Sequence, residues 1–268
     1  MPDRGPLTPA GAGGGGVPKG AAAELEKAPR AIGRMFDAIA PSYDLLNHML
    51  SMAIDVRWRK RAIRSLSLRK EDVVLDIASG TGDMALLAHA ASGCAVLGLD
   101  LSGNMLREAV RKCGPAYMAV QGDALRMPFP DAAFGKAMTA FGIRNMADIP
   151  AFLREVRRVL RPHGTLVVLE FSLPPYPLVR QAYLLYLTRV LPFVGGLRSG
   201  NRAAYQYLSD SIQRFPSPRS MLALFTEAGL EVAEMASLTL GIAHLYVLRS
   251  PGGSEEHTSE LQSHSGSS

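Results

Sequence analysis

The chain is poor in the residues that form disulfide bonds and metal centres. Its 268 residues include two cysteines, Cys94 and Cys113, and these are not spaced as a C-x-x-C pair. The histidines also lack the spacing of metal ligands. No signal peptide is recognisable. We therefore expect both cysteines to be ordinary thiols in a reducing compartment, and we predict a cytoplasmic protein without a metal site.

The composition also lacks a strong bias in charge or hydrophobicity. Hydrophobic residues make up 47% of the chain and charged residues 20%, which is typical of a soluble globular protein. The net charge of +5 permits contact with phosphates or an anionic lipid surface but does not require either. Aromatic and basic residues are not interleaved along the chain, so we predict no nucleic-acid partner.

The two ends of the chain differ in composition from the middle. Residues 1–22 are rich in Gly, Pro and Ala, and residues 251–268 are polar and rich in Ser and His. Both segments have too few apolar residues to fold alone, so we expect them to be disordered. The C-terminal segment also fits an extension foreign to the natural protein. Residues 23–250 are predicted to form one domain, with an N-terminal helical lid at 23–70 and an insertion at 172–217.

The middle of the chain alternates strand-like and helix-like segments. Helical spacing at 24–40 and 45–67 is followed by predicted strands at 72–78, 95–100, 116–121, 135–141, 164–171, 230–238 and 242–249, and predicted helices at 83–92, 103–113, 148–160 and 218–228. This alternation predicts an α/β fold with a mainly parallel sheet covered on both faces. The connection between the last two strands is too short for a crossover helix, so these strands should pair antiparallel.

A glycine-rich turn follows the first predicted strand. Val73-Val74-Leu75-Asp76-Ile77 runs into Ala78-Ser79-Gly80-Thr81-Gly82, and a helix-like segment begins at Asp83. A buried strand, a tight glycine loop and a helix start are the usual site of a nucleotide-like cofactor in an α/β sheet. Gly80 and Gly82 remove the Cβ atoms that would keep a ligand away from the backbone. Three readings stay open here: a turn without a ligand, a nicotinamide or flavin site, and an S-adenosylmethionine site.

Acidic residues follow three successive predicted strands. They are Asp76, Asp100 and Asp123, and Asp100 lies 24 residues after Asp76, near the offset of about 20 residues at which an acid meets ribose hydroxyls. Such acids suit a cationic sulfonium cofactor and oppose a pyrophosphate. We expect Asp76 near the ammonium group of S-adenosylmethionine, Asp100 at both ribose hydroxyls and Asp123 at the adenine amino group.

The regular alternation stops between residues 172 and 217. The stretch 177–196 is apolar, but Arg180 and Arg189 interrupt it and Pro192 limits the helix, so it is not a clean membrane span. Three interpretations are open: core packing, an apolar lid over a greasy substrate, and peripheral contact with the inner face of the membrane through that lid.

Several motifs in a fixed order resemble those of the UbiE-type C-methyltransferases of menaquinone and ubiquinone synthesis. The resemblance covers residues 33–248. The matching motifs are Phe36 to Ala40, Tyr43-Asp44 with Asn47, Trp58-Arg59, Leu75 to Asp83, Met127 to Phe129, Phe141 to Asn145, Arg158 to Pro162, Leu169 to Ser172, Tyr205 to Leu208 and Ser211-Ile212.

This resemblance implies the class I S-adenosylmethionine-dependent methyltransferase fold. That fold has a seven-stranded, mainly parallel sheet with an antiparallel last strand and helices on both faces. The implied cofactor is S-adenosylmethionine, and the implied substrate is a lipid quinol methylated at a ring carbon. The sequence does not choose between demethylmenaquinol and the 2-methoxy-6-polyprenyl-1,4-benzoquinol of ubiquinone synthesis. It also leaves open whether the chain forms an oligomer.

The resemblance also implies a set of cofactor contacts. Together with the glycine loop, they are Asp76, Ala78, Gly80, Thr81, Gly82, Asp100, Leu101, Asp123, Ala124 and Ala140, with Tyr43 as a cover over the cofactor. The family often has Ser where this chain has Ala140, so that hydrogen bond is absent here. The family also often has a His near the end of the last strand where this chain has Tyr246, which puts a role for His244 in doubt.

Arg144 and Asn145 are the predicted catalytic residues. A ring carbon becomes nucleophilic when the neighbouring ring hydroxyl loses its proton, and an arginine in a dry pocket would stabilise that phenolate. Asn145 would orient Arg144 or the substrate. The alternative is a structural one, in which Arg144 pairs with Asp148 at the start of a helix.

Three rival functions remain open from the sequence. The tripeptide Pro174-Pro175-Tyr176 is similar to a loop of nucleic-acid methyltransferases, but it follows the fifth predicted strand rather than the fourth. A methyltransferase for another small phenol or a sterol is the second, and it is a better alternative than a nucleic-acid methyltransferase. A cofactor-binding scaffold without activity is the third, and the intact Arg144-Asn145 pair argues against it.

Overall fold

The structure is a computed structural model, and it describes residue 37, residues 54–191, residue 193 and residues 202–252. Tyr43, residues 1–22, the part of the predicted helical lid before residue 54 apart from Asp37, and the tail after residue 252 lie outside this part of the chain. The predictions made for them therefore stay predictions.

The helices that the structure describes are α1 (Asp55–Ser65), α2 (Asp83–Ser92), α3 (Gly103–Cys113), α4 (Ile149–Val159), α5 (Pro177–Leu185), α6 (Arg202–Arg214) and α7 (Pro218–Glu227). Those predicted at 83–92, 103–113, 148–160 and 218–228 begin and end within one residue of their predicted positions. Three starts have side-chain caps, because the hydroxyls of Ser102 and Ser217 and the carboxylate of Asp148 accept from backbone N–H groups of the first turn. Gly229, with φ of 73°, follows the last helix and lets the chain turn.

The strands form one mixed sheet. They are β1 (Val73–Ile77), β2 (Ala95–Asp100), β3 (Tyr117–Gln121), β4 (Phe134–Ala140), β5 (Leu160–Phe171), β6 (Glu231–Leu238) and β7 (Ala243–Arg249). Their order across the sheet is β3-β2-β1-β4-β5-β7-β6. Strand β7 pairs antiparallel with both β5 and β6, and the pairs among β1 to β5 are parallel. The predicted α/β fold with an antiparallel last strand is confirmed.

Strand β5 differs from its prediction at its beginning. It starts at Leu160, directly after α4, although we expected a start at 164. Leu160 pairs with Phe134, and regular pairing resumes only at Thr165 opposite Lys136. The intervening residues form a bulge in which His163 has φ of 59°. The sequence pattern predicted only the regularly paired part of the strand.

The sheet separates two apolar cores. Alternate residues of each strand point to opposite faces, so Val74 belongs to one core and Leu75 to the other. The first core lies under α1, α2 and α3 and includes Trp58, Phe141 and Phe171. The second lies under α4 and α7, and its buried side chains include Phe152 and Phe225.

The apolar stretch after β5 forms helix α5 and a π-helical turn at Tyr186–Val190. Its inner face joins the first core through Tyr183, Leu187 and Leu191. Its outer face carries Leu178 and Leu185, which are 82% and 59% exposed. Core packing therefore explains one face of this segment only. Among the described residues, no helix has the length and hydropathy needed to cross a membrane.

Candidate active site

The carboxyl edge of the sheet carries a cavity formed by the loops after β1 to β4. We call it the first cavity. It is lined by Ala78, Gly80, Leu99, Asp100, Leu101, Met105, Gly122, Ala124, Phe141, Gly142, Asn145 and Met146. The carboxyl ends of parallel strands are where ligands bind in open α/β sheets.

The loops after β1 and β4 approach each other closely in unusual backbone conformations. Ala78 and Phe141 have φ of 55° and 58°, which is the left-handed region that side chains disfavour. A Cβ atom added to Gly142 would lie 2.8 Å from the Cβ of Ala78. A Cβ atom on Gly82 would lie 2.8 Å from the Cys113 sulfur, at a φ of 82°. Strain of this kind concentrates at ligand sites, where the rest of the fold enforces it.

Asp100 connects two of these loops. One of its carboxylate oxygens accepts from the N–H of Gly80 at 2.8 Å, and the other accepts from the N–H of Ser102 at 2.9 Å. Burial raises the pKa of Asp100, and these two backbone donors oppose the rise. Each oxygen keeps a second lone pair, so both can still accept from a ligand hydroxyl.

Asp76 is a buried carboxyl group on β1, one residue before that strand ends. It is 1% exposed, and its Oδ2 atom has no hydrogen-bond partner among the described residues. Burial raises its pKa to about 8, and the charge of Arg59 on α1 opposes this rise. Arg59 is itself buried, 3.2 Å from Asp55 and 3.7 Å from Asp83. A buried carboxyl with a free oxygen is prepared to receive a cation.

Tyr117 fixes the glycine loop from the other side. Its side chain extends from β3 across β2, and its hydroxyl lies 2.7 Å from the hydroxyl of Ser79. It crosses β2 at Gly98, where an added Cβ atom would lie only 1.9 Å from the Tyr117 oxygen. Gly98 is therefore required for this contact, because any side chain would displace the phenol ring.

Replacing Gly98 with Ala is expected to lower the free energy of unfolding by about 1–3 kcal/mol, the usual cost of overpacking. Gly135→Ala is the matched control, since nothing lies within 4 Å of a Cβ atom added there. Its effect should stay within about 0.5 kcal/mol. Urea unfolding of both variants measures the difference. Equal midpoints would show that the Tyr117–Ser79 contact does not depend on Gly98.

Asp37 lies against the start of α3, next to the first cavity. Its carboxylate accepts from the hydroxyl of Ser102 at 2.5 Å and from the N–H of Asn104 at 3.1 Å. Both donors lie at the N-terminus of α3, where a negative charge is favoured. Of the motif Phe36 to Ala40, the structure describes Asp37.

Arg144 forms a buried ion pair. One of its guanidinium nitrogens lies 2.8 Å from Glu170 on β5, and each side chain is 1% exposed. The same nitrogen donates to the carbonyl of Phe141. Glu170 also accepts from the N–H groups of Arg144 and Phe171. Burial raises the pKa of Glu170, and Arg144 opposes that rise. Asp148, the alternative partner, caps α4 instead.

An aromatic stack connects Arg59 with Arg144. The guanidinium of Arg59 lies 4.9 Å from the ring centre of Phe141. Phe141 stacks on Phe171 with 4.3 Å between ring centres, and the guanidinium of Arg144 lies 5.5 Å from the ring centre of Phe171. Cations on both outer faces of a buried ring pair are held by the ring quadrupoles. The stack fixes both arginines relative to the loop after β4.

A second cavity, of about 400 Å³, adjoins the first. It is lined by Arg144, Asn145, Met146, Ala147, Asp148, Ile149, Pro150, Tyr207, Ser211, Arg214, Phe215, Pro216 and Leu224. Asn145 and Met146 line both cavities. The amide oxygen of Asn145 accepts from the Tyr207 hydroxyl at 3.1 Å, which orients the amide at the wall shared by the two cavities.

Comparison with known sequences decides the family. The sequence profile described as the ubiE/COQ5 methyltransferase family matches residues 24–248. The chain belongs to this family. It is therefore a methyltransferase.

Two relatives illustrate how similar its members are. Demethylmenaquinone methyltransferase of Thermus thermophilus is 47% identical, and the match covers 80% of this chain and 98% of that protein. The ubiquinone/menaquinone biosynthesis C-methyltransferase UbiE of Syntrophotalea carbinolica is 45% identical, with 79% and 91% covered.

Solved structures share the fold at low sequence identity. The [4+2]-cyclase SpnF is 17% identical with a TM-score of 0.62, and the match covers 84% of this chain and 97% of SpnF. Geranyl diphosphate C-methyltransferase from Streptomyces coelicolor, solved with S-adenosyl-L-homocysteine, is 14% identical with a TM-score of 0.54, covering 74% and 80%. At this identity the likeness concerns the fold alone.

The predicted cofactor residues of the methyltransferase fall into two groups, those that line the first cavity and those that do not. The first cavity is lined by Ala78, Gly80, Asp100, Leu101 and Ala124. Asp76, Thr81, Gly82, Asp123 and Ala140 lie in the same loops or strand ends but do not line that cavity. Of the catalytic pair, Arg144 lines the second cavity and Asn145 lines both. The individual roles of all these residues stay predictions, and Tyr43 lies outside the described residues.

Three residues that make contacts at this site were not predicted from the sequence of the methyltransferase. Glu170 holds Arg144, and it could have been found by the rule that identified the other acids, because it also stands near the carboxyl end of a strand. Asp37 and Tyr117 gave no such signal, since their partners are 65 and 38 residues away along the chain. His244 lies opposite Glu170 in the sheet, and burial lowers its pKa.

Proposed function

We propose that this methyltransferase transfers the methyl group of S-adenosylmethionine to a ring carbon of a polyprenylated quinol. The observation that carries the proposal is the pair of adjoining cavities, one beside buried acids and the other beside a buried arginine. Relatives that are 38–47% identical are named demethylmenaquinone methyltransferases or UbiE, and their names support a quinol as acceptor.

The first cavity fits the methyl donor by its chemistry. The glycine loop leaves room for close backbone contact, and Asp100 can accept from ribose hydroxyls. The Oδ2 of Asp76, which has no hydrogen-bond partner in the described part of the chain, suits the ammonium group of the donor. S-adenosylmethionine, when bound, supplies an electrophilic methyl group. The acids favour its positive charge and disfavour a pyrophosphate, which supports this donor over a dinucleotide.

The second cavity fits the acceptor ring. An acceptor placed against Asn145 and Met146 would lie next to the donor, because these residues line both cavities. Arg144 is held by Glu170 and Phe141, so it can stabilise a phenolate without reorganising. The ring hydroxyl would give its proton to solvent, and the phenolate would push electron density onto the neighbouring ring carbon. That carbon would take the methyl group with S-adenosylhomocysteine as the leaving group. The carbon would then lose its own proton and the oxygen regain one, so the ring becomes aromatic again and one proton is released overall. Holding the two reactants side by side supplies the rest of the rate enhancement.

Purified enzyme, labelled S-adenosylmethionine and a panel of acceptors test this proposal. The panel contains demethylmenaquinol, the methoxy-polyprenyl benzoquinol, a simple phenol, a sterol and a structured RNA. We expect label in one or both quinols, and mass spectrometry of quinones from cells lacking the protein should show the same compound accumulating. Label only in the phenol, the sterol or the RNA would overturn the quinol assignment. Calorimetric heat with a nicotinamide dinucleotide but none with S-adenosylhomocysteine would overturn the donor assignment.

We also propose that the outer face of α5 and the following turn contacts an anionic lipid surface. This face exposes Leu178, Leu185 and Phe193 together with Arg189. Large apolar side chains beside arginines are typical of helices that lie at a membrane interface. The opposite face packs into the core that contains Phe141, and Phe141 also lines the first cavity. A polyprenylated substrate resides in such a surface.

The variant Leu178→Glu/Leu185→Glu is expected to bind phosphatidylglycerol vesicles about tenfold more weakly, because it loses two exposed leucine side chains that would insert into the lipid. Its turnover with a short-chain, water-soluble quinol should stay within about twofold. The control Leu86→Glu/Val110→Glu changes two half-exposed residues on α2 and α3 and should bind like the wild type. Sedimentation with vesicles measures both. Equal loss in the two variants would count against this face.

A further inference from the structure

A long-range contact brings Tyr207 to the candidate active site. Tyr207 lies on α6 and lines the second cavity. Its hydroxyl bonds to the amide oxygen of Asn145 at 3.1 Å, and Asn145 lines both cavities. The insertion predicted at 172–217 therefore supplies a polar group to the wall at which the two reactants would meet.

The carbonyl of Phe141 determines which way round the Asn145 amide lies. The amide nitrogen is 3.5 Å from this carbonyl oxygen. Because a carbonyl oxygen only accepts, the reverse orientation would place two acceptors against each other. The amide oxygen therefore faces Tyr207, and since that oxygen also only accepts, the Tyr207 hydroxyl is the donor.

Tyr207 makes the shorter of the two contacts that hold this amide. The backbone of Asn145 is fixed by the short turn Ile143–Asn145, in which its N–H donates to the carbonyl of Gly142 at 3.0 Å. The terminal torsion of an asparagine side chain is broad and roughly two-fold. The contact with Phe141 is long for a hydrogen bond. The hydrogen bond from Tyr207 therefore sets the orientation of the amide.

The oriented amide lies next to the guanidinium of Arg144. The carbonyl of Phe141 accepts from one guanidinium nitrogen and also faces the amide nitrogen of Asn145, so both nitrogens converge on one atom. Both residues line the second cavity. The other N–H of the Asn145 amide has no acceptor in the described part of the chain. Two preorganised donors stabilise a developing negative charge more than one.

We propose that Tyr207 is a positioning residue for the methyl transfer. Its hydroxyl holds the Asn145 amide so that the other amide N–H donates to the acceptor-ring oxygen that becomes a phenolate, beside Arg144. This inference rests on the proposed function, since it requires a phenolic acceptor. The protons of Tyr207 and Asn145 stay on their own atoms throughout, and no covalent bond to either residue forms or breaks.

A double-mutant cycle tests this role. Tyr207→Phe is expected to lower kcat about tenfold, the rate equivalent of one neutral hydrogen bond, and Asn145→Ala about 10²-fold, the effect of losing one oxyanion donor. In Tyr207→Phe the KM for the quinol and the affinity for S-adenosylhomocysteine should stay within about threefold of the wild type. Because Tyr207 acts through Asn145, the double variant should turn over within about twofold of Asn145→Ala.

Tyr186→Phe is the matched control for the loss of a hydroxyl. It removes the same atom from another half-buried tyrosine, on the turn Tyr186–Val190, and Tyr186 lines neither cavity. Its kcat should stay within about twofold of the wild type. The thermal midpoints of both tyrosine variants should stay within about 4 °C of the wild type, which shows that the change in kcat of Tyr207→Phe does not come from unfolding.

The outcomes separate this inference from the proposed function. If the wild type does not methylate a quinol, both fail. If it does and Tyr207→Phe turns over at the wild-type rate, or raises KM with kcat unchanged, the role of Tyr207 is overturned and the proposed function stands. Losses that multiply in the double variant would also overturn it, because Tyr207 would then act independently of Asn145.

Discussion

Replacing Arg144 with Met is expected to weaken the fold and stop turnover, for two separable reasons. The substitution keeps an apolar side chain of similar length against Phe171 but leaves Glu170 as an unpaired charge at 1% exposure. Breaking a buried ion pair in this way costs about 3–5 kcal/mol of stability. Loss of the phenolate-stabilising cation should lower kcat by about 10²–10³-fold.

A second substitution separates the two effects. In Arg144→Met/Glu170→Gln the buried charge is gone, and the amide oxygen of residue 170 can still accept from one of the two backbone N–H groups, which bond to different oxygens of Glu170. Its amide nitrogen can donate to the Phe141 carbonyl, which has lost Arg144. We expect urea unfolding to show most of the stability restored, while turnover stays as low as in the single variant.

If the double variant regained wild-type turnover, Arg144 would have only a structural role, and other groups would stabilise the phenolate. Donor binding, measured by calorimetry with S-adenosylhomocysteine, serves as the control for local damage. It should be within about threefold of the wild type in the double variant, because Arg144 does not line the first cavity.

The fold followed from the sequence because its signals are local. The run Val73 to Ile77, the glycines after it and the helix start at Asp83 each reflect one physical requirement, and they occur within a dozen residues. The short connection between β6 and β7 required an antiparallel pair for a purely geometric reason. The bulge at the start of β5 was not predicted. It depends on a positive φ at His163, and the sequence signals such a φ only where the residue is glycine.

The site was predictable only in part, because several of its contacts join residues that are far apart in the sequence. Strand-end acids such as Asp76 and Asp100 can be recognised from their position in the pattern. The ion pair of Arg144 joins residues 26 apart in the sequence, and Tyr207 reaches Asn145 across 62 residues. Such pairs form when separate elements pack together, so they produce no periodic pattern in the sequence. Arg59 shows the same limit, since its stacking on Phe141 requires α1 to cross the strand ends.

Donor binding is expected to release a proton from Asp76. The pKa of this carboxyl is raised to about 8 by burial, so in the free protein it is mostly protonated at pH 6–7. A bound ammonium group favours the carboxylate, and the proton must leave. Affinity for S-adenosylhomocysteine should therefore rise as the pH increases, by up to about tenfold per pH unit below the pKa, and level off near pH 8.

Calorimetry between pH 5.5 and 7 measures this linkage, in a range where an ordinary α-amino group, with a pKa of about 7.7–8.0, stays protonated. Methylthioadenosine is the matched ligand: it keeps the ribose that Asp100 would bind but has no ammonium group, so its affinity should not vary. Asp83, Asp100, Cys113 and Tyr117 also share this environment, and Asp76→Asn isolates one group among them. This variant should lose the pH dependence and bind S-adenosylhomocysteine about tenfold more weakly at pH 7, while methylthioadenosine binds as before. A pH dependence that survives in Asp76→Asn, or that methylthioadenosine shows equally, would place the ammonium group away from Asp76.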